Sequence, residues 1–220
     1  MIELKSLSKI YQSKGNDVKA LDNITYTFSD NSFVGITGGS GNGKTTLINI
    51  IGGLLRPTEG NVIINGTDLY KMKDKKISAY RNKTIGFIFQ HYNLIDGISA
   101  LENVMLPLMI GKVKLSKRKI MAEEALNTVG LFERKKHKPS ELSGGQEQRV
   151  AIARAIVNSP DIIIADEPTG NLDEENARLI MELLSQINKK GVTILMVTHN
   201  ESFKDYFSHN IRVEKGKIIC

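Results

Sequence analysis

One octapeptide decides more about this chain than any other stretch. Gly38-Gly39-Ser40-Gly41-Asn42-Gly43-Lys44-Thr45 sets two glycines, Gly38 and Gly43, with four residues between them and follows them with lysine and threonine. The loop follows an apolar run at residues 33–37. Beyond Gly43, apolar residues recur at Leu47, Ile48, Ile50, Ile51 and Leu54 before Arg56-Pro57. This predicts a strand, a glycine loop and a helix that stops before the proline. In that order, backbone N–H groups at a helix start converge on phosphate oxygens. Lys44 would then reach β- and γ-phosphates as a point charge, and the Thr45 hydroxyl would ligate Mg²⁺. Gly38, Gly39, Ser40, Gly41, Asn42, Gly43 and Thr46 complete the expected cradle for MgATP. The plainer reading is a flexible turn with a solvated lysine, and the strand and helix on either side argue against it.

The rest of the composition narrows the class. A chain of 220 residues accommodates one domain, or one core with a small insertion. With 40% hydrophobic and 25% charged residues it should fold as a globular protein. No apolar stretch approaches the roughly 18 to 20 residues needed to span a bilayer, so any membrane-spanning part is expected in another chain. The first seven residues alternate apolar and polar like a strand, which predicts a cytosolic chain. The lone cysteine, Cys220, supplies neither a disulfide nor a zinc site. A net charge of +6 points to anionic partners without choosing among nucleotides, nucleic acid and acidic lipid head groups.

Short β-prone runs at residues 3–7, 24–28, 33–37 and 61–65 make the first third strand-rich, the last of them closed by Asn65-Gly66. Residues 101–109 and 117–129 favour helix, with charge concentrated at 112–119 and 134–138, as in a helical insertion. Strands at 161–165 and 192–197 alternate with a helical pattern at 174–189, as a parallel α/β sheet requires. A terminal hairpin is expected around Lys215-Gly216.

The run 161–165 leads into Asp166-Glu167, which puts two acids at the carboxyl edge of a parallel sheet, where ligands bind. Side-chain alternation predicts that Asp166 faces a Mg²⁺ shell while Glu167 points toward an attacking water. In isolation the same acids could merely cap a helix. A bound triphosphate, however, needs a metal anchor and something to orient water. Further on, Leu142-Ser143-Gly144-Gly145-Gln146 precedes a helical pattern that ends before Pro160. Ser143 and Gln146 have capping-box spacing. Two glycines in a first turn cost up to about 1 kcal/mol each relative to alanine, and an approaching ligand would justify them.

Here the chain resembles the nucleotide-binding subunits of ABC transporters over nearly its whole length. The motifs occur in order: Gly38 to Thr45, Gln90, Leu142 to Gln146, Asp166-Glu167, Asn171-Leu172-Asp173 and His199. The wording around them, Ile85-Gly86-Phe87-Ile88-Phe89-Gln90 included, is most similar to the macrolide-exporter, lipoprotein-releasing and antimicrobial-peptide-resistance branch. The resemblance implies an α/β fold, a P-loop NTPase (RecA-like) core at 1–90 and 159–220 with an N-terminal antiparallel β subdomain. A helical subdomain would be inserted at 91–158.

It also implies an ATPase that forms a head-to-tail homodimer on MgATP and drives a separate transmembrane permease. Ser143, Gly144, Gly145 and Gln146 of one subunit would cover the γ-phosphate held by the other. Tyr11 would stack on adenine, Gln90 would touch Mg²⁺ or water, His199 would bond the γ-phosphate, and Asp173 would join the nucleotide site. Bland alternatives are a packing tyrosine, a polar loop glutamine and a solvated strand-end histidine. The chain would sit at the cytoplasmic face of the cell membrane, touching it only through the permease, and export peptide, drug or lipid-like substrates. Four departures from the branch stand out: Gly39 for proline, Thr45 for serine, Glu147 for glutamine and Asn200 for aspartate. Glu147 either weakens the ATP sandwich or pairs with a neighbouring cation.

Two other classes compete. Cell-division ABC ATPases signal through a membrane protein without transport and are similar in sequence. A soluble ABC ATPase acting on nucleic acid would use the basic runs 71–76, 112–119 and 134–138. Those runs lack interleaved aromatics and read as solvated faces, so no nucleic-acid partner is expected.

Overall fold

The computed structural model describes residues 1–12 and 16–219; Cys220 lies outside them. Strands β1 (Ile2–Tyr11) and β2 (Val18–Phe28) pair antiparallel, and the chain then enters β3 (Phe33–Thr37), which is buried nearly throughout. After the glycine loop come α1 (Lys44–Ile51), β4 (Glu59–Ile64) and β5 (Thr67–Asp68). One sheet has the order β2-β1-β4-β5. Its β4–β5 hairpin turns on the predicted Asn65-Gly66, both at positive φ (49° and 75°), the twist-matched geometry of a two-residue turn.

The next elements are α2 (Asp74–Thr84), β6 (Ile85–Phe89), α3 (Ala100–Ile110), α4 (Leu115–Thr128) and α5 (Gly144–Ile156). Last come β7 (Ile162–Asp166), α6 (Glu174–Lys189), β8 (Thr193–Val197), β9 (His209–Glu214) and β10 (Lys217–Ile219). The second sheet runs β10-β9-β3-β8-β7-β6, parallel from β9 to β6, with β10 added antiparallel. Period-2 alternation splits its side chains between two cores. Val34, Ile36, Ile162, Ile164, Leu195 and Val197 pack with α1 and the antiparallel sheet. Ile163, Ala165, Ile194 and Met196 pack with apolar residues of α3 to α6. Each such side chain apart from Ala165, fully buried, contributes about 1.5–3 kcal/mol.

The structure corrects two expectations. Helix α1 ends at Ile51, not before Pro57, because Gly52 and the left-handed Gly53 (φ 67°) terminate it, and Leu54 is left 46% exposed. Helix α2 occupies part of what reads as a basic run. Only Ile77 and Thr84 of its eleven residues are buried, so its apolar periodicity is too sparse to register in the sequence.

Candidate active site

The pairing register builds the site. Ile36, Val197, Asp166 and Phe89 occupy one row across β3, β8, β7 and β6. The residues just beyond that row are therefore delivered to one edge: Gly38 with the glycine loop, Thr198-His199, Glu167 and Gln90. All four predicted segments from four separate strands meet there, because parallel strands bring their carboxyl ends to the same side.

The glycine loop, Tyr11, Glu167 and His199 line a cleft of about 340 Å³. A larger hollow, about 500 Å³, lies at the opposite end of the strands near Asp161 and Val192. It brings together none of the motif residues, so chemistry outweighs size in choosing the site. Helix α1 begins at the cleft with left-handed Gly43 (φ 96°) as its N-cap, no side-chain cap and no acid in its first turn. A Cβ at Gly43 would stand 2.3 Å from the Ala20 carbonyl oxygen, so glycine is required twice over. The uncapped first-turn N–H groups and the helix dipole suit an anion. Lys44 is 6% exposed, and its Nζ donates to the carbonyls of Gly38 (2.8 Å) and Gly39 (2.9 Å). No carboxylate ion pair neutralises this buried ammonium among the described residues.

Asp166 ends β7 as expected, but Glu167 departs from simple strand alternation. Its φ is 48°, so a left-handed residue outside the strand redirects its side chain. The Glu167 N–H stays anchored on the Val197 carbonyl (3.0 Å), and its Oε1 lies 2.6 Å from His199 Nε2. Burial pushes the Asp166 carboxyl above its ordinary value and the neighbouring Glu167 charge adds to this, while the Thr45 hydroxyl, Lys44 and His199 pull it back. Thr45 and Asp166 form a hard-oxygen pair of the kind that holds Mg²⁺ together with substrate phosphates. No group of three or more His, Cys, Asp or Glu that would hold a metal unaided occurs among the described residues. The donor set fits a cation whose remaining ligands come from a nucleotide.

Tyr11 stands at the cleft mouth, 42% exposed, with its hydroxyl 3.4 Å from Thr46 Oγ1 and Lys9 Nζ 5.3 Å from its ring centroid. Gln90 sits against Asn171, which donates to the Gln90 carbonyl (3.0 Å). Ser143, Gly144, Gly145, Gln146 and Asp173 do not line the cleft, and neither do Gly38, Gly39, Gln90 and Asp166. Ser143 and Gln146 make the capping box that opens α5, and Asp173 caps α6 by accepting from Asn176 N (2.8 Å). Beside the expectation that an approaching ligand justifies both glycines, Gly145 has a packing reason of its own. A Cβ there would lie 2.3 Å from Asn176 Oδ1 of the same chain, so α5–α6 packing also favours glycine at this position. Glu147 pairs with no cation among the described residues. Burial, with the Asp96 charge adding to it, holds its carboxyl above the usual value.

Two residues of α5 escape sequence reasoning. Gln148 is fully buried, and its amide donates to the carbonyls of Phe89 and Pro168, tying α5 to the strand end before Gln90 and to the turn after Glu167. Arg154 donates to the carbonyls of Tyr92 and Asn93, two consecutive residues at positive φ (58° and 50°). Paired non-glycine residues in that region are strained, and the guanidinium holds them there. Capping residues announce themselves by spacing. A buried polar residue on an apolar helix face has no comparable signal.

Residues 21–170 match the ABC transporter family. The chain is 44% identical over its full length to the lipoprotein-releasing system ATP-binding protein LolD of Syntrophus aciditrophicus, covering 99% of that protein. It is 43% identical to the macrolide export ATP-binding/permease protein MacB of Hyphomonas neptunium, covering all of this chain and 34% of that one. It superposes on the dimeric post-hydrolysis structure of the ATP-binding cassette MJ0796 bound to ADP and Pi with a TM-score of 0.92, at 40% identity, covering 100% of this chain and 97% of the other. The chain belongs to the ABC transporter family and is an ATP-binding cassette ATPase.

Proposed function

We propose that this chain hydrolyses MgATP between two head-to-tail copies of itself to drive a separate membrane permease. The reading rests chiefly on the shared register row, which puts a buried lysine, a hard-oxygen pair and a glutamate–histidine pair along one sheet edge. The glycine-loop amides and Lys44 hold the phosphates, and Tyr11 faces the adenine. Thr45, Asp166 and Gln90 would hold Mg²⁺, which when bound neutralises charge on the phosphates and favours attack at the γ-phosphorus. Glu167 orients and deprotonates water, and His199 fixes the Glu167 carboxylate and bonds the γ-phosphate. Ser143, Gly144, Gly145, Gln146 and Asp173 of the second copy cover that phosphate.

The core is assigned to residues 1–90 and 159–220 and the helical subdomain to 91–158. Between α2, β6, α3 and α5 runs a groove of about 310 Å³, with Arg81, Phe87, Asn93, Ile110 and Arg154 in its walls. The permease docks there, next to the segment that carries Gln90. Likeness to LolD and MacB favours export of lipid-like, peptide or drug substrates from the cytoplasmic face of the membrane. The test is phosphate release from MgATP by the purified chain and its variants. Release by the parent, with about 100-fold or greater loss in Glu167→Gln and loss of nucleotide binding in Lys44→Ala, is expected. Parental turnover in Glu167→Gln would overturn the assignment.

A further inference from the structure

We infer that the α3–α4 corner, residues 109–120, touches an anionic lipid surface directly, in addition to any contact made through a permease. Lys112, Lys114, Lys117 and Lys119 are all exposed, and none forms an ion pair among the described residues. No acidic residue occurs from 103 to 122. Interleaved with these lysines are Met109 (50% exposed), Ile110 (70%), Leu115 (69%) and Ile120 (57%). These are four of the twelve large exposed hydrophobics of the described residues, gathered into twelve positions. A merely solvated charge run has no reason to expose them. Basic and apolar side chains mixed on one surface are the combination that partitions to the headgroup–acyl boundary of anionic bilayers.

The corner's lysines do little for the fold in return, whereas Arg118 Nε donates to the Val113 carbonyl and Val113 packs on the core. Lys117, Arg118 and Lys119 fall at the start of α4, where the helix dipole opposes positive charge and its first turn carries no acid. In each of the other basic runs one lysine is used internally: Lys135 pairs with Glu123 and lies over Phe132, and Lys71 pairs with Asp68. The corner holds no aromatic residue on which a nucleobase could stack. Its orientation toward the bilayer rests on the permease reading, since Ile110 also forms part of the docking groove.

The experiment is sedimentation of the full chain with vesicles, without nucleotide or permease. Binding is expected to phosphatidylcholine vesicles containing about 30% phosphatidylglycerol, to fall with added salt, and to be absent on pure phosphatidylcholine. The variant Lys112→Glu/Lys117→Glu/Lys119→Glu should bind the anionic vesicles at least about 100-fold more weakly, at roughly fivefold per cation removed. Acids at the start of α4 favour the helix, so misfolding is not its expected fate, and basal ATP hydrolysis should equal the parent's. Ile110→Ser/Leu115→Gln should also weaken binding, even with every charge kept. The inference is overturned if the triple variant binds like the parent, if neutral and anionic vesicles bind alike, or if the parent binds single-stranded RNA more tightly than vesicles. Vesicle binding needs no catalysis, so its failure leaves the ATPase reading standing, and failure of hydrolysis leaves the vesicle result standing.

Discussion

Asp166 and Glu167 are adjacent carboxylates given different surroundings by backbone conformation and burial. Asp166 is held at the strand end beside Thr45, whereas left-handed Glu167 turns toward His199. The sign of the Asp166 shift yields a stability prediction. An acid whose folded pKa exceeds its unfolded value destabilises the folded state when ionised, a cost present at neutral pH and removed as pH falls through the raised pKa. Asp166→Asn should therefore raise Tm at pH 7 without nucleotide, and the gain should shrink as pH drops toward the carboxylate range. Calorimetry across pH checks this, and a gain that grew on acidification would oppose it. The same variant should lose Mg²⁺-dependent nucleotide binding. Lys44→Ala, by contrast, should lose nucleotide binding with or without Mg²⁺, read by equilibrium binding of a fluorescent ATP analogue.

At the scale of elements, α5 connects the parts. Its N-terminus carries Ser143 to Gln146, its buried Gln148 grips the ends of β6 and β7, and Arg154 holds the strained pair after Gln90. Gln148→Leu keeps the volume but leaves two carbonyls without that donor, a loss of about 1–3 kcal/mol. Gln148 Oε1 has no partner among the described residues, which moves the expectation to the lower end. Tm should fall by several degrees and turnover should fall with it. A stable variant with parental turnover would remove Gln148 from the coupling. Strands β1, β3, β4, β7 and β8, the second half of β2, α6 and the terminal hairpin are legible in the sequence because each has a strong period or turn signal, whereas the short β5, the first half of β2 and β6 before Gln90 carry none strong enough to place them. Helix α2 is not legible either, having two buried residues. Nor are Gln148 and Arg154, whose roles depend on carbonyls about 60 or 20 residues away in the chain. Glu167 was placed by spacing, but its left-handed turn depends on β8, which anchors its N–H.

For the whole molecule, one copy presents a phosphate cradle at the edge of its sheet and a glycine-bearing helix start that does not reach that cradle. In the proposed cycle, both surfaces are accounted for when two copies face each other around two nucleotides, and hydrolysis would then release them to move a permease. The structural match to dimeric MJ0796, one form of it holding ADP and Pi, agrees with this arrangement. The decisive measurement is the solution mass of Glu167→Gln by light scattering, with and without MgATP. The mass should double from 24.4 kDa only when nucleotide and Mg²⁺ are both present, and Ser143→Arg, which crowds the covering surface, should prevent the doubling. A Glu167→Gln chain that binds MgATP yet stays at the single-chain mass would contradict the account.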